Sequence, residues 1–228
     1  MIEKLAVRAF KPVFVVYYRF LFGRGFAGAG KLAAWVRAWE RKTGRQNVPV
    51  SGERWESEYE DGTWDFLRQS GELARYSVVA AFVDRFAGRG SVLDVGCGEG
   101  VLLEKLRPYG VASYTGIDLS EVAISRCSAA EGETARFLVA DAELYRPQET
   151  FDAVVMNECL YYFEDPLAVA LAYFDALADK GVLVVSQFRS RRSSAIARLL
   201  REKLPLIEET LITSRKGTWI VGVFGRGL

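Results

Sequence analysis

Ser91-Val-Leu-Asp-Val-Gly-Cys-Gly-Glu-Gly100 is the stretch of sequence that decides the fold of this chain. An apolar run predicts a strand that ends near an acid, and three glycines spaced two apart follow it. The next residues, 101–106, have a helical pattern. Glycine allows a sharp turn and the close approach of a ligand to the backbone, and the first N–H groups of a helix lack partners within the helix. This order predicts a nucleotide-type cofactor site at the carboxyl end of a parallel strand.

The glycine spacing separates one cofactor class from others. A dinucleotide fingerprint reads G-x-G-x-x-G, but Val101 stands where its third glycine would be. The chain also has no G-x-x-x-x-G-K-[ST] phosphate loop. The stretch instead resembles motif I of the class I S-adenosylmethionine-dependent methyltransferases.

Four later stretches resemble the same family in order and spacing, so that the resemblance covers roughly residues 75 to 225. They are Tyr114–Asp118, Arg136–Asp141, Phe151–Asn157 and the lead into a fifth strand from Leu177. The resemblance implies S-adenosylmethionine as cofactor and a Rossmann-like α/β fold with a mostly parallel seven-stranded sheet. Two further runs, Leu206–Ser214 and Thr218–Phe224, predict the antiparallel C-terminal hairpin of that fold.

The resemblance also assigns cofactor-binding residues. Motif I would shape the turn at the methionine end, the acid after the second strand would hold the ribose, and the stretch after the third strand would meet the adenine. Asp118 alone is equally explained as a cap for the helix that opens at Ser120, and Asp141 as a turn residue. The expected set is Asp94, Gly96, Cys97, Gly98, Gly100, Asp118, Leu119, Asp141, Ala142 and Asn157.

Candidate catalytic residues follow the fourth strand. The chain contains no histidine, which excludes a histidine base and histidine metal ligation, and we expect no metal. Glu158 is a candidate for orienting or deprotonating an acceptor, and Tyr161 and Tyr162 for lining its pocket. Alternatively, Glu158 contacts the amino end of the cofactor or caps a helix, and the tyrosines pack on the next helix.

Residues 51–90 precede motif I and predict a lid of helices. Related methyltransferases often cover cofactor and substrate with this segment, and Tyr59 and Trp64 are candidates for a substrate-binding wall. Aromatic residues that anchor a helix on the core would give the same pattern. Residues 91–228 would form the cofactor-binding core.

Residues 1–50 form a basic, aromatic segment for which we expect helices. They carry ten Lys or Arg and two acids, a net charge of +8. The remaining residues carry twenty basic and twenty-seven acidic side chains, a net charge of −7, so the chain as a whole has a net charge of +1. This pattern suits peripheral contact with an anionic membrane face, or packing on the catalytic part or another subunit. Apolar runs here are too short for a membrane span, and a secretory signal is not expected. Three cysteines without a disulfide or metal pattern favour a cytoplasmic location.

The expected activity is methyl transfer from S-adenosylmethionine to oxygen or nitrogen of a small molecule. Asn157 is followed by Glu158 and Cys159, unlike the Pro-Pro motif of many enzymes that methylate nucleobase or glutamine nitrogens. The acidic catalytic part argues against a nucleic-acid partner. Residues 157–162 with the upstream tryptophans loosely resemble small-molecule enzymes, including those acting on saccharides or lipid-linked saccharides. A phospholipid amine, a natural product, and a cofactor-binding scaffold without catalysis stay as alternatives. The sequence leaves the oligomeric state open.

Overall fold

The computed structural model describes residues 12–42, 52–127 and 132–227 of the chain. The first of these ranges, 12–42, begins with a short helical stretch that continues as a π-helical turn, Tyr17–Leu21. The strands are β1 (Ser91–Val95), β2 (Ser113–Asp118), β3 (Ala135–Val139), β4 (Phe151–Asn157), β5 (Leu177–Phe188), β6 (Leu206–Ser214) and β7 (Gly217–Gly225). The helices are α1 (Ala29–Lys42), α2 (Gly52–Glu60), α3 (Leu73–Ala87), α4 (Val101–Leu106), α5 (Glu121–Cys127), α6 (Pro166–Asp175) and α7 (Arg191–Lys203).

The seven strands form one sheet in the order β3-β2-β1-β4-β5-β7-β6. The first five strands are parallel, and β7 runs antiparallel between β5 and β6. The order reverses between β1 and β4, and ligands of open α/β sheets bind outside the strand ends at such a point. The predicted fold, including its C-terminal hairpin and N-terminal helices, is confirmed.

The sheet is covered on both faces, as the unbroken apolar run in β4 requires. Alternate residues of one strand face opposite sides. Leu93 therefore packs in a core layer with helices α6 and α7, while Val92 packs in the layer with α3 and α4. Both side chains are fully buried.

The described part of the N-terminal segment packs on the catalytic part of the chain. Phe14, Tyr17, Tyr18 and Phe22 are buried in the same core layer as α6 and α7. The Tyr18 hydroxyl donates to Glu40 Oε2 at 2.6 Å, and the Arg198 guanidinium donates to the carbonyl oxygen of Tyr18 at 3.3 Å. The buried side of this segment therefore packs on the catalytic part, which is one of the alternatives that the sequence left open. Residues 45–52 have the composition of a linker, but they lie outside the described residues except for Gly52, which opens α2, and the boundary at residue 50 stays a prediction.

Candidate cofactor and acceptor site

A cavity of about 870 Å³ lies at the carboxyl ends of the parallel strands. Its volume falls in the range of roughly 300–1,000 Å³ that small-molecule sites have. Every predicted site residue except Gly100 lines this cavity. Gly100 instead precedes the first turn of α4, where its backbone has a φ of 73°. The fold therefore brings residues that are far apart in the sequence together around one cavity.

The loop after β1 needs glycine at two positions that line the cavity. Gly96 and Gly98 have φ angles of 71° and 52°, a region that side chains with a Cβ rarely enter. A Cβ at Gly96 would lie 2.7 Å from Cys159 Cβ, and a Cβ at Gly98 would lie 2.7 Å from the Tyr59 hydroxyl. Cys97, between them, is buried and directs its Sγ toward the Gly98 carbonyl oxygen. The loop leaves its backbone open to a ligand.

Asp94, the residue before the last one of β1, has a buried carboxyl group. Its Oδ2 accepts a hydrogen bond from the Tyr114 hydroxyl at 2.6 Å, whereas Oδ1 has no partner among the described residues. Burial raises the pKa of Asp94 to about 7, and the nearby Asp118 carboxylate acts in the same direction. A buried acceptor without a partner is costly, so Oδ1 suits an ammonium group of a ligand.

Asp118 ends β2 and is held by the backbone. Its Oδ2 accepts from Gly98 N at 2.8 Å and its Oδ1 from Ser120 N at 3.0 Å. The actual cap of α5 is Ser120, whose Oγ accepts from Ala123 N. Each carboxylate oxygen can accept a further hydrogen bond, so the predicted ribose contact fits this arrangement. Leu119, 41% exposed, lies beside Gly52 of α2.

Asp141 and Ala142 follow β3 at the far side of the cavity. Asp141 Oδ1 accepts from Glu143 N at 2.8 Å, which is the geometry of a turn. Ala142 is buried, and its carbonyl oxygen accepts from the Tyr173 hydroxyl. Both residues line the cavity, so the adenine contact stays a prediction that the placement allows.

A buried ion-pair chain, which the sequence did not reveal, lies behind the end of β4. Arg75 in α3 is 2% exposed, donates to Asn157 Oδ1 and contacts Glu72 Oε2 at 3.2 Å. Glu72 in turn pairs with Lys216 Nζ, from the turn between β6 and β7, at 2.9 Å. The Nε of Arg75 has no partner, and Arg75 lines the cavity. An unpartnered guanidinium N–H suits a carboxylate of a ligand.

Glu158 has an unusual backbone and a carboxylate that accepts three hydrogen bonds. It has a φ of 65°, the one positive value at a non-glycine residue among the described positions, and such strain is often found at functional sites. Its Oε2 accepts from the Tyr161 hydroxyl at 2.8 Å and from Phe188 N at 2.9 Å, and its Oε1 accepts from the Ser186 hydroxyl at 3.1 Å. Burial raises the pKa of Glu158, and neither Arg75 nor these hydrogen bonds cancel the effect.

Aromatic side chains from the lid and from the loop after β4 form one wall of the cavity. Trp55 of α2 meets Tyr162 edge-on, with ring centroids 4.7 Å apart, and lies 5.6 Å from Trp64. The Nε1 of Trp64 is buried without a hydrogen-bond partner. Tyr59 lies at Gly98, on the glycine-loop side, whereas Trp55, which the sequence did not single out as a site residue, completes the wall.

Helix α2 is held over the cavity by Glu56. Its carboxylate accepts from Glu121 N and Ser120 Oγ, both at 2.7 Å, and from Val122 N at 3.2 Å. Gly52, Glu56 and Tyr59 are spaced four and three residues apart, so they share one face of the helix. This face covers the ends of β1 and β2.

Arg192 anchors the loop that carries the candidate catalytic residues. It is buried in the first turn of α7 and donates to the carbonyl oxygens of Tyr161 and Phe163 at 2.9 and 2.7 Å. Its guanidinium also lies 5.5 Å from the centroid of the Phe22 ring. One buried cation thus joins the N-terminal segment to the acceptor side of the cavity.

The doubly covered parallel sheet, its switch point and the glycine loop with acids after β1 and β2 define a methyltransferase of class I. Residues 67–218 match the family model described as "Methyltransferase domain". The chain belongs to this family, which confirms the predicted resemblance, and S-adenosylmethionine is the cofactor of the class. Asp94 Oδ1 and Arg75 Nε, which lack partners among the described residues, belong to side chains that line this cavity and fit the ammonium and carboxylate of the methionine end of the cofactor.

Known proteins resemble the chain in sequence and in fold. It is 38% identical over 84 residues to nodulation protein S of Sinorhizobium fredii, covering 36% of this chain and 38% of that protein. It is 29% identical over 150 residues to the ubiquinone biosynthesis O-methyltransferase of Hydrogenovibrio crunogenus, covering 62% of each. The matched part thus spans less than two thirds of these relatives. The N-methyltransferase NodS of Bradyrhizobium japonicum, crystallised with S-adenosylhomocysteine, has a similar fold with a TM-score of 0.65 and 23% identity, covering 74% of this chain and 96% of NodS.

Two further findings concern metal binding and membrane spanning. Among the described residues, no group of three or more potential ligands is arranged to hold a metal ion. None of the helices within the described ranges has the combined length and apolarity needed to cross a bilayer.

Proposed function

We propose that the protein transfers a methyl group from S-adenosylmethionine to an oxygen or nitrogen of a small molecule, and that the favoured acceptor is a saccharide or a lipid-linked saccharide. S-adenosylmethionine supplies an electrophilic methyl on a sulfonium. The protein must bind the acceptor in line with that methyl and exclude water. The names of the relatives include both an N- and an O-methyltransferase, which supports either acceptor atom.

The observation that carries the saccharide proposal is the wall of Trp55, Trp64 and Tyr162 with its unused indole N–H. Aromatic faces carry partial negative charge and therefore attract the C–H groups on one face of a sugar ring. The buried Trp64 Nε1–H, which has no partner among the described residues, would donate to a hydroxyl or ring oxygen. A purely apolar acceptor would leave this donor unpaired, at a cost of about 1–3 kcal/mol.

Glu158 is the proposed base or orienting group for the acceptor. Its raised pKa moves it toward the range in which a carboxylate accepts a proton efficiently. The three donors on its carboxylate would hold it in one orientation, and its negative charge would also attract an amine. Tyr161 would act through Glu158, whereas Tyr162 would contact the acceptor directly.

The proposed location is cytoplasmic, with peripheral contact at the inner membrane face through residues 1–50. A lipid-linked acceptor resides at a membrane surface, and the charge of +8 on this segment would draw the enzyme there.

An acceptor panel with a direct product readout tests the proposal. Purified protein is mixed with S-adenosylmethionine and formation of S-adenosylhomocysteine is followed with amino and deoxy sugars on nucleotide or lipid carriers. Parallel reactions contain phosphatidylethanolamine or small phenols. We expect turnover with a saccharide, and a loss of at least about tenfold in kcat/KM in Trp64→Phe, which keeps an aromatic ring, smaller than the indole, but removes the N–H donor. Turnover with the phospholipid or a phenol alone would contradict the saccharide assignment. Binding of the cofactor without turnover on any acceptor would favour a scaffold.

A further inference from the structure

The N-terminal segment has a second apolar side that the fold does not use. Phe14, Tyr17 and Tyr18 are buried against the core, whereas Val13, Val16 and Phe20 are 39, 48 and 53% exposed. The exposed three are spaced three and four residues apart, so they lie along one side of the helical stretch. A helix that is apolar on both sides normally has partners on both sides.

Two exposed basic side chains accompany this exposed side, and residues 12–39, which carry it, contain no acid. Arg19 and Arg24 are exposed, and the Arg19 guanidinium lies 5.5 Å from the centroid of the Phe20 ring. The sequence contains no Asp or Glu between positions 12 and 39, but four Lys or Arg. We name Val13, Val16, Arg19, Phe20 and Arg24 the outward face.

We propose that the outward face binds the surface of an anionic lipid bilayer, with Val13, Val16 and Phe20 inserted between headgroups and the two arginines on lipid phosphates. Exposed aromatic and aliphatic residues flanked by Arg are the composition of interfacial helices. This inference rests on the proposed location at the inner membrane face and is independent of the acceptor. It names the side chains that make the contact.

Charge complementarity favours a bilayer over a second copy of the chain. A twofold dimer through the outward face would set this face against itself, which places Arg19 and Arg24 opposite like charges. An anionic bilayer would meet the same charges favourably. Because residues 51–228 carry a net charge of −7, the same surface repels the catalytic part, so that the N-terminal side turns toward the membrane.

Vesicle binding of the full-length protein tests this proposal. Co-sedimentation is measured with vesicles of phosphatidylcholine alone and with a minority of phosphatidylglycerol, at low and high salt. We expect salt-sensitive binding to the phosphatidylglycerol vesicles only. We expect Arg19→Gln/Arg24→Gln and Val16→Ser/Phe20→Ser each to lower the partition coefficient by about tenfold or more.

Matched controls remove one exposed apolar and one exposed basic side chain elsewhere. Leu211→Ser changes a residue of β6 that is 57% exposed, and Lys180→Gln removes an exposed charge on β5. Both should bind vesicles as the wild type does. Circular dichroism shows that each variant is folded, and calorimetry with S-adenosylhomocysteine tests the cofactor site separately.

Each outcome decides one question. Unchanged vesicle binding in both double variants, or no binding by the wild type, would overturn the proposal. Concentration-dependent dimers that dissociate in Val16→Ser/Phe20→Ser would assign the outward face to a second copy instead. Vesicle binding without S-adenosylhomocysteine binding would leave the membrane inference standing while the proposed catalytic function fails.

Discussion

Asp94→Asn tests the electrostatics at the centre of the site. In the wild type, burial raises the pKa of Asp94 from 3.8 to about 7. The folded state therefore holds the proton more tightly than the unfolded chain does. The stability that this proton brings is complete below about pH 4 and is lost as the pH rises through about 7. The variant has no carboxyl group at this position and lacks this dependence.

The size of the effect follows from the shift in pKa. About three units at roughly 1.36 kcal/mol per unit give about 4 kcal/mol over the whole titration. Between about pH 5 and pH 8, the folded carboxyl loses most of its proton. The free energy of unfolding therefore falls by about 2–3 kcal/mol over that pH range. The uncharged amide leaves its own buried N–H₂ unpaired, but that cost does not vary with pH.

Urea denaturation of both proteins across this pH range measures the difference. The free energy of unfolding of the wild type should fall by about 2–3 kcal/mol relative to Asp94→Asn between about pH 5 and pH 8, because other titrating groups cancel in the comparison. Parallel curves would refute a raised pKa at Asp94. In a separate titration, the variant should bind S-adenosylhomocysteine more weakly at pH 8, since it lacks the carboxylate that would meet the ammonium group.

Three further substitutions probe the cavity. Asp118→Ala should weaken S-adenosylhomocysteine binding by roughly tenfold or more in calorimetry, with Asp118→Asn weakened less; equal affinity to wild type would exclude the ribose role. Glu158→Gln should slow turnover by about 100-fold, remove the rise in rate with pH that ionisation of a raised-pKa carboxyl gives, and leave cofactor affinity within about twofold; an equal loss of affinity would place Glu158 at the cofactor instead. Glu56→Gln should speed S-adenosylhomocysteine release several-fold in stopped-flow fluorescence, whereas Glu53→Gln, exposed on the same helix, should not; identical release rates would mean that α2 does not gate the cavity.

Much of the catalytic core was predictable because its signals are local. The strand before Gly96, the hairpin around Lys216 and the acid after β2 are each determined by a few neighbouring residues. The parallel order then sets their strand ends side by side. For this reason the predicted cofactor residues, apart from Gly100, line one cavity.

The remaining features depend on contacts between distant parts of the chain. Glu72 and Arg75 form a buried ion pair that the half-exposed Lys216 extends, and nothing within 72–75 distinguishes this pair from an exposed helical ion pair. The positive φ of Glu158 depends on hydrogen bonds to Ser186 and Phe188. The sequence predicts either packing on the core or a membrane-facing surface for residues 1–50. The described helical stretch has both a buried side and an exposed side.

Because Arg192 contacts both of them, the loop with Tyr161 and Phe163 is structurally coupled to the N-terminal segment. Its guanidinium supports the carbonyl groups of Tyr161 and Phe163 and also faces Phe22. Exchanging the first forty residues with those of a relative would therefore alter the shape of the proposed acceptor pocket, although none of the described residues among them lines it. Chimeras intended to change acceptor preference should transfer this segment, the loop and the start of α7 together.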